Sequence, residues 1–409
     1  MRGSMTTGVL AEGRGAGDRV GAAILVSALL AIPPLSTDIS LPALPSIAAA
    51  FGEDAGRTQL VVALFLVGFA IGQLGYGPAS DRCGRRPVLL AALALYIAAS
   101  AGILGAPSFA WLVAGRFLQG LGASAGPVIA RAVVRDVYAP VRGARVLCLA
   151  SVGMAVAPGA GAIAGGAIVL AWHWRGVFAA LAGFGTLLLL SAAWLLPETN
   201  VAFDPTRLSL GALIRRYVTI ATDRRFLGYV LTLAGGSVGL FAWLMGSPFV
   251  LMTLGGLPPH LFGLAFAGVN IGTICGAVLA ARLVVRLGIE GTVRIGLALY
   301  LSGAAALVGT LLAGSGHPAA IVAPMALFHI GNGIVMPNTI AGAIAPFPRA
   351  AGAASALAGF VQMATGVLSG LVLGRLHDGS ATPMTLLVAV SAVSAALFFA
   401  LLVPRRRGA

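Results

Sequence analysis

"GYGPASDRCGRRP", Gly75 to Pro87, places three glycines, one aspartate and three arginines between two stretches that carry no charge. Upstream, Gln59 to Tyr76 is almost wholly apolar, and downstream Pro87 to Gly105 is again apolar. Each run approaches the roughly 20 residues needed to cross a hydrocarbon core of about 30 Å. The short polar segment therefore reads as a loop at a membrane surface, joining two spans. The same pattern fills the chain: of 409 residues 59% are hydrophobic and 9% charged, too few polar groups to cover a soluble core of that size. Transmembrane strands would alternate over about ten residues, whereas these runs are longer and solidly apolar. The fold class is an all-α membrane protein.

Twelve transmembrane helices are predicted. The first six are Val20 to Leu41, Gln59 to Tyr76, Pro87 to Gly105, Ala110 to Ala130, Ala144 to Leu170 and Gly176 to Leu196. The second six are Phe226 to Leu254, Leu261 to Ala281, Ile295 to Ala313, Ala319 to Ile344, Ala351 to Leu373 and Met384 to Val403. This divides the chain into a tail (1–19), a six-helix bundle (20–196), a linker (197–225), a second six-helix bundle (226–403) and a basic tail (404–409). Leu208, Leu210, Leu213 and Ile214 among basic residues suggest a short surface helix in the linker. "AARLVVRLG" after span 8 faintly echoes the loop after span 2, as duplicated halves would. All 26 basic residues are arginine, and apart from Arg57, Arg116, Arg175 and Arg375 they fall on one side of this topology. The positive-inside bias makes that side, with both termini, cytoplasmic. It also accounts for the net charge of +14 without a nucleic-acid partner.

Asp38, in "PPLSTDISLPALP" (33–45), is the one acidic residue placed inside a span. An intramembrane carboxylate is costly to desolvate, so it marks a proton or substrate path and asks for a partner. Arg116, the one arginine well inside a span, is the expected partner, with Gln119 one turn along on the same face. Pro33 and Pro34 should kink or unwind span 1. In the second half Phe241, Trp243, Met245 and Phe249, with His329, Asn332 and Asn338, are substrate-cavity candidates, because aromatic, methionine and amide groups offer adaptable contact. In the loop, Gly77 and Gly84 allow a tight turn and close approach. Asp81, with Arg82, Arg85 and Arg86, can form a charge cluster that locks one conformation. Gly153, Pro158, Gly159, Gly161, Gly165 and Gly166 make span 5 a kinked helix with small faces suited to sliding.

The segment Gly77 to Arg86 resembles the loop 2-3 signature of the major facilitator superfamily, departing at Ala79, where the family usually has leucine. Within it the chain is most similar to the Bcr/CflA group of drug:proton antiporters, the bicyclomycin and chloramphenicol exporters. "LSTDISLPALP", "GRFLQGLGASAG", "VVRDVY", "WHWRGVF", "PET", "GSPFV" and "AGAASALAGF" carry the likeness in order. "RFLQGLGASAG" resembles the span 4 motif whose arginine is tied to proton transfer, and "GMAVAPGAGAIAGG" resembles the antiporter motif, with Ala157 where glycine is commoner. The resemblance implies the major facilitator fold and proton-coupled efflux across a bacterial inner membrane.

The expected function is thus a multidrug antiporter in which Asp38 and Arg116 couple protons to export. A proton-coupled uptake symporter for a small metabolite is the first alternative, and a transport-dead membrane sensor or scaffold, which would not need a buried charge pair, is the second. No nucleophile with a positioned base, metal cluster or nucleotide loop is legible, so an enzyme is not expected. Cys83, Cys148 and Cys275 have no metal-ligand spacing. No cofactor is expected beyond the proton gradient. The expected partners are protons, the lipid bilayer and small lipophilic neutral or weakly cationic drugs, handled by a monomer. Residues 1–19, holding Glu12 and Asp18, lack the short apolar core of a secretory leader.

Overall fold

The computed structural model describes residues 16–138, 140–200, 210–314, 316–347 and 350–403. Among the described residues every regular element is a helix. The first part of the chain forms α1 (Ala16–Asp38), a 3-10 turn (Leu41–Ala43), α2 (Leu44–Phe51), α3 (Ala55–Thr58), α4 (Leu60–Cys83), α5 (Arg85–Leu104), α6 (Phe109–Ala123), α7 (Ala125–Val137) and α8 (Pro140–Leu195). The second part forms α9 (Leu210–Ala221), α10 (Arg224–Pro248), a π-helical turn (Phe249–Leu254), α11 (Pro259–Leu312), α12 (Pro318–Ile344), α13 (Ala351–Arg375) and α14 (Thr382–Leu402). Ala16 to Arg19, expected in the tail, already belong to α1, and the linker helix is present as α9. The rest of the N-terminal tail, residues 201–209 of the linker and the tail 404–409 lie outside the described residues.

Among the described residues ten helices are long and apolar enough to cross a membrane. Two are far too long for one crossing: α8 has 56 residues and α11 has 54, about 80 Å at 1.5 Å per residue. Each is broken once. In α8 the backbone leaves helical geometry at Trp172 and His173, and in α11 at Gly288 alone (φ 65°, ψ 179°). The contacts of α11 with α12 show what the break does. A Cβ on Gly272 would sit 2.6 Å from Ala326 O, and one on Gly276 would strike Ile330 O, so the two helices run in parallel there. Beyond Gly288 the order reverses, with Gly296 against Val335 and Gly303 against Pro324 O at 2.8 Å. The chain doubles back at Gly288.

Between α4 and α5 a single residue, Gly84 (φ 95°, ψ 151°), makes the corner. Most of the predicted loop 2-3 is therefore helix: α4 runs on through Asp81 to Cys83, with Pro78 inside it. Gly84 and Gly288 sit after spans 2 and 8, both with positive φ that a side chain would strain. The faint sequence echo thus corresponds to one backbone device used twice. Gly77, by contrast, lies within α4 facing open space, so the close approach expected there is absent.

Glycines let the helices approach backbone to backbone, the packing mode available where lipid removes most of the hydrophobic drive between helices. Gly68 of α4 and Gly120 of α6 abut Phe117 O and Phe65 O, while Gly276 of α11 and Gly333 of α12 abut Ile330 O and Thr273 O. Between α8 and α11, Gly263 meets Ala162 O at 2.5 Å and Gly166 meets Pro259 O. Gly56 and Gly374 lie carbonyl to glycine at the same end of the molecule, 2.8 Å from a Cβ on Gly374 to Gly56 O. Aliphatic and aromatic side chains fill the space behind these contacts, with Trp243, Tyr96, Tyr300 and Phe65 fully buried.

Candidate functional site

Span 1 stays helical through Pro33 and Pro34 and ends at Asp38, four residues beyond the predicted kink. Hydroxyls on the next turn engage carbonyls near the prolines: Ser36 Oγ donates to Ile32 O (2.6 Å) and Thr37 Oγ1 to Pro33 O (2.9 Å). Pro33 has no N–H for Leu29 O, and Gly126 of α7 packs against that carbonyl, 2.6 Å from where its Cβ would be. The break comes after Asp38, where Ser40 N bonds Thr37 O and the chain tightens into the 3-10 turn. That early closure leaves Ser36 O without its helical donor.

Arg116 supplies it. Its Nη1 donates to Ser36 O (3.3 Å) and Gln119 Oε1 (2.6 Å), Nε to Val61 O (2.9 Å), and Nη2 reaches Ser40 Oγ (3.5 Å). The guanidinium lies 4.4 Å from the Phe65 ring centre and is fully buried. Gln119 in turn donates to Ser100 Oγ (2.7 Å), which donates to Tyr96 O, and Tyr96 OH shares a 2.7 Å hydrogen bond with Ser36 Oγ. The network ties spans 1, 2, 3 and 4 around the residues flanking Asp38.

The predicted Asp38–Arg116 ion pair is not formed: the ion pairs of the described residues involve neither residue. Asp38 is 4% exposed, and its carboxylate has no hydrogen-bond partner among the described residues. The physical reason is that the guanidinium's donors already meet peptide and amide oxygens. Gln119 belongs to this network rather than to an open cavity.

The second-half candidates divide by face. Phe241 and Met245 pack against Gly366 and Gly370 of α13. Trp243 turns inward, stacked parallel to Phe266 at 6.2 Å and edge-on to His329 at 6.4 Å, and its indole N–H has no partner among the described residues. His329 Nδ1 lies 3.0 Å from Met325 O, Asn332 Oδ1 accepts from Tyr300 OH (2.9 Å) and Asn338 Nδ2 donates to Ile334 O (2.8 Å). Phe249 meets the His377 ring at 4.5 Å. The polar groups of α12 are thus engaged within their own half.

At the opposite end, around Gly84, the charge cluster is more connected than its sequence showed. Arg85 is buried between Asp81 (2.6 Å) and Asp136 (3.1 Å) and donates to Ser80 Oγ, while Arg82 is exposed with no ion pair among the described residues. Glu198, from "PET", accepts from the backbone N–H groups of Arg85 (2.9 Å) and Arg86 (3.1 Å), capping α5. Asn200 Nδ2 donates to Asp81 O, and Arg86 Nη2 to Ala193 O. Partial burial pushes the Glu198 carboxyl up, but backbone donation from Asn200, Arg85, Arg86 and Thr199 outweighs it and holds its pKa below the ordinary glutamate range. Sequence reasoning missed Glu198, Asn200 and Asp136 as partners, since only tertiary structure brings residues so far apart together.

In span 5 a Cβ on Gly161 would lie 3.3 Å from Ile39 N and one on Gly165 would meet Ile39 O, so the small face expected there receives the broken end of span 1. Gly153 makes only ordinary contact with Ser27 (3.5 Å), and Pro158 sits within α8. No group of three or more His, Cys, Asp or Glu suited to a metal occurs among the described residues. The side chain of Cys148 lies outside them.

A sequence profile described as Major Facilitator Superfamily matches residues 26–370. The chain is 33% identical to an uncharacterized MFS-type transporter, YdgK, of Bacillus subtilis, over 96% of this chain and 97% of that one. It is 28% identical to a bicyclomycin resistance protein homolog of Haemophilus influenzae (91% and 94% covered) and 32% identical to a chloramphenicol resistance protein of Pseudomonas aeruginosa (82% and 79%). Among solved structures, a D-xylose-proton symporter superposes with a TM-score of 0.76 at 18% identity, covering 95% of this chain and 99% of that one. With its hydrophobic spans, this makes the chain a multi-pass protein of the bacterial inner membrane. The chain belongs to the Major Facilitator Superfamily.

Proposed function

We propose that this protein is a proton-coupled drug exporter. Twelve crossings in two six-helix halves, with both termini cytoplasmic, exchange a small lipophilic, neutral or weakly cationic molecule for a proton. The observation that carries this reading is Asp38: buried, without a partner, and set where span 1 breaks. Ten spanning helices, two of them broken in mid-length, support the count of twelve, and the one-sided arginines support the orientation. The drug-resistance names of relatives support the cargo.

An ionised carboxylate in a low-dielectric interior needs a proton, a cation or strong donors to offset its desolvation. Asp38 has no such group beside it here, so proton and substrate compete for one position, and competition is the requirement of antiport. Arg116 acts as a positioning residue, fixing the Ser36–Ser40 peptides so that the carboxylate is presented at one place as the halves rock. The scale is adequate: one charge moved through 100 mV is worth about 2.3 kcal/mol, roughly a fiftyfold gradient of a neutral drug. Neither a cofactor nor a second subunit is required.

The test is drug accumulation in a pump-deficient bacterium expressing the protein or Asp38→Asn, with the proton gradient intact and then collapsed. The protein should lower accumulation only while the gradient stands, and the variant should not, at equal membrane abundance. Raised accumulation by the unaltered protein would instead establish uptake, and an active Asp38→Asn would remove the carboxylate from the mechanism.

A further inference from the structure

At the end of the molecule opposite the Gly84 corner, α8 turns through Trp172 and His173. His173 holds φ 55°, ψ −173°, a region occupied almost only by glycine, and it is the one described residue other than glycine with positive φ. Such strain persists only where the surroundings over-determine it, and here they do. Trp174 is buried against the rings of Phe51 (5.6 Å) and Phe178 (6.1 Å), while Arg175 lies over the Trp174 ring at 4.3 Å and donates from Nε to Leu104 O. Both terminal nitrogens of Arg175 remain without a hydrogen-bond partner among the described residues.

A cavity of about 410 Å³ opens between this corner and the small side chains of Ser46, Ala49 and Ala50 on α2. Its wall is mostly apolar, with His173 and Arg175 as its titratable or charged groups. Leu170 and Trp172 beside it are 66% and 71% exposed, which in a membrane-spanning chain places them against lipid at the edge of the hydrocarbon. Asp38 does not line the cavity, so the site is separate from the proposed exchange centre.

We propose that this corner binds the phosphodiester headgroup of a membrane phospholipid. The free nitrogens of Arg175 and the His173 imidazole take phosphate oxygens, the alanine wall of α2 leaves room for the glycerol, and an acyl chain lies along Trp172 and Leu170. One guanidinium with two unused donors on one edge matches two phosphate oxygens. The strained corner is then the feature that brings residues 173 and 175 to the same opening, which an unbroken helix would not do.

The test titrates phosphatidylglycerol into the delipidated full-length protein in detergent and reads bound lipid by native mass spectrometry, with inorganic phosphate as competitor. Arg175→Gln should weaken retention about tenfold, the scale of one lost charge-assisted hydrogen bond. Trp172→Ala should weaken it severalfold, and millimolar phosphate should displace little lipid. Because Arg175 also packs on Trp174, His173→Gly serves as a second variant: it relieves the backbone, should melt no lower than the unaltered protein without lipid, and should still bind less lipid. Equal retention by the unaltered protein, Trp172→Ala and His173→Gly overturns the proposal. Full displacement by inorganic phosphate overturns the assignment to lipid.

Discussion

The donors of Arg116 are taken up by Ser36 O, Val61 O and Gln119 Oε1, acceptors on three different helices. A guanidinium reaches them because its nitrogens diverge in a plane, whereas an ammonium concentrates its donors at one point. Arg116→Lys therefore leaves at least one of these oxygens unsatisfied, at a cost on the order of 2 kcal/mol, even though the charge is kept. The expected outcome is a lower melting temperature together with at least tenfold slower gradient-driven transport, read on purified protein in liposomes. Unchanged transport would mean that charge alone matters and that the clamp does not position Asp38. From sequence, Asp38 and Arg116 stood out because ionisable groups are rare in spans. Their geometry did not, because which oxygens a side chain meets depends on helices far away in the chain.

Among the elements, the α4–α5 corner depends most on a distant segment. Gly84 turns the backbone, and Glu198 closes the exposed N-terminus of α5 by accepting two of its N–H groups. A carboxylate whose folded pKa lies below its unfolded value contributes stability that is full above the unfolded value and lost as the pH falls through the folded one. Stability should thus decline as the pH drops below the ordinary glutamate range, and Glu198→Gln should remove part of that decline. At neutral pH the same variant costs up to about 1 kcal/mol, reduced by solvent screening because Glu198 is exposed. Thermal unfolding in detergent across pH 3 to 7 reads both. An identical pH profile in the variant would show that the cap carries no linkage. The glycine at the corner was legible from "DRCGRRP"; its cap was not, since "PET" places Glu198 113 residues beyond Arg85 and announces no partner.

For the molecule as a whole, Gly56 and Gly374 approach so closely that a Cβ on either would crowd the other's carbonyl oxygen, at 2.5 Å and 2.8 Å. In the proposed exchange cycle this contact must part. Gly374→Trp inserts a ring where no Cβ fits easily, so it should hold that end open. Against a background with cysteines 83, 148 and 275 replaced by serine, a cysteine at buried Ala63 should become labelled by a membrane-impermeant maleimide from that side, and transport should fall at least tenfold. Unchanged labelling would place the gate elsewhere. Hydropathy alone determined the helical class, the approximate spans and the presence of one acid and one arginine among them, because each crossing must satisfy its own backbone and exclude charge. Tertiary structure decided that span 1 breaks at Asp38 rather than at its prolines, that Arg116 holds peptide oxygens instead of the carboxylate, and that Glu198 caps α5. Those outcomes depend on which donors and acceptors are brought together in three dimensions, and linear spacing does not specify that.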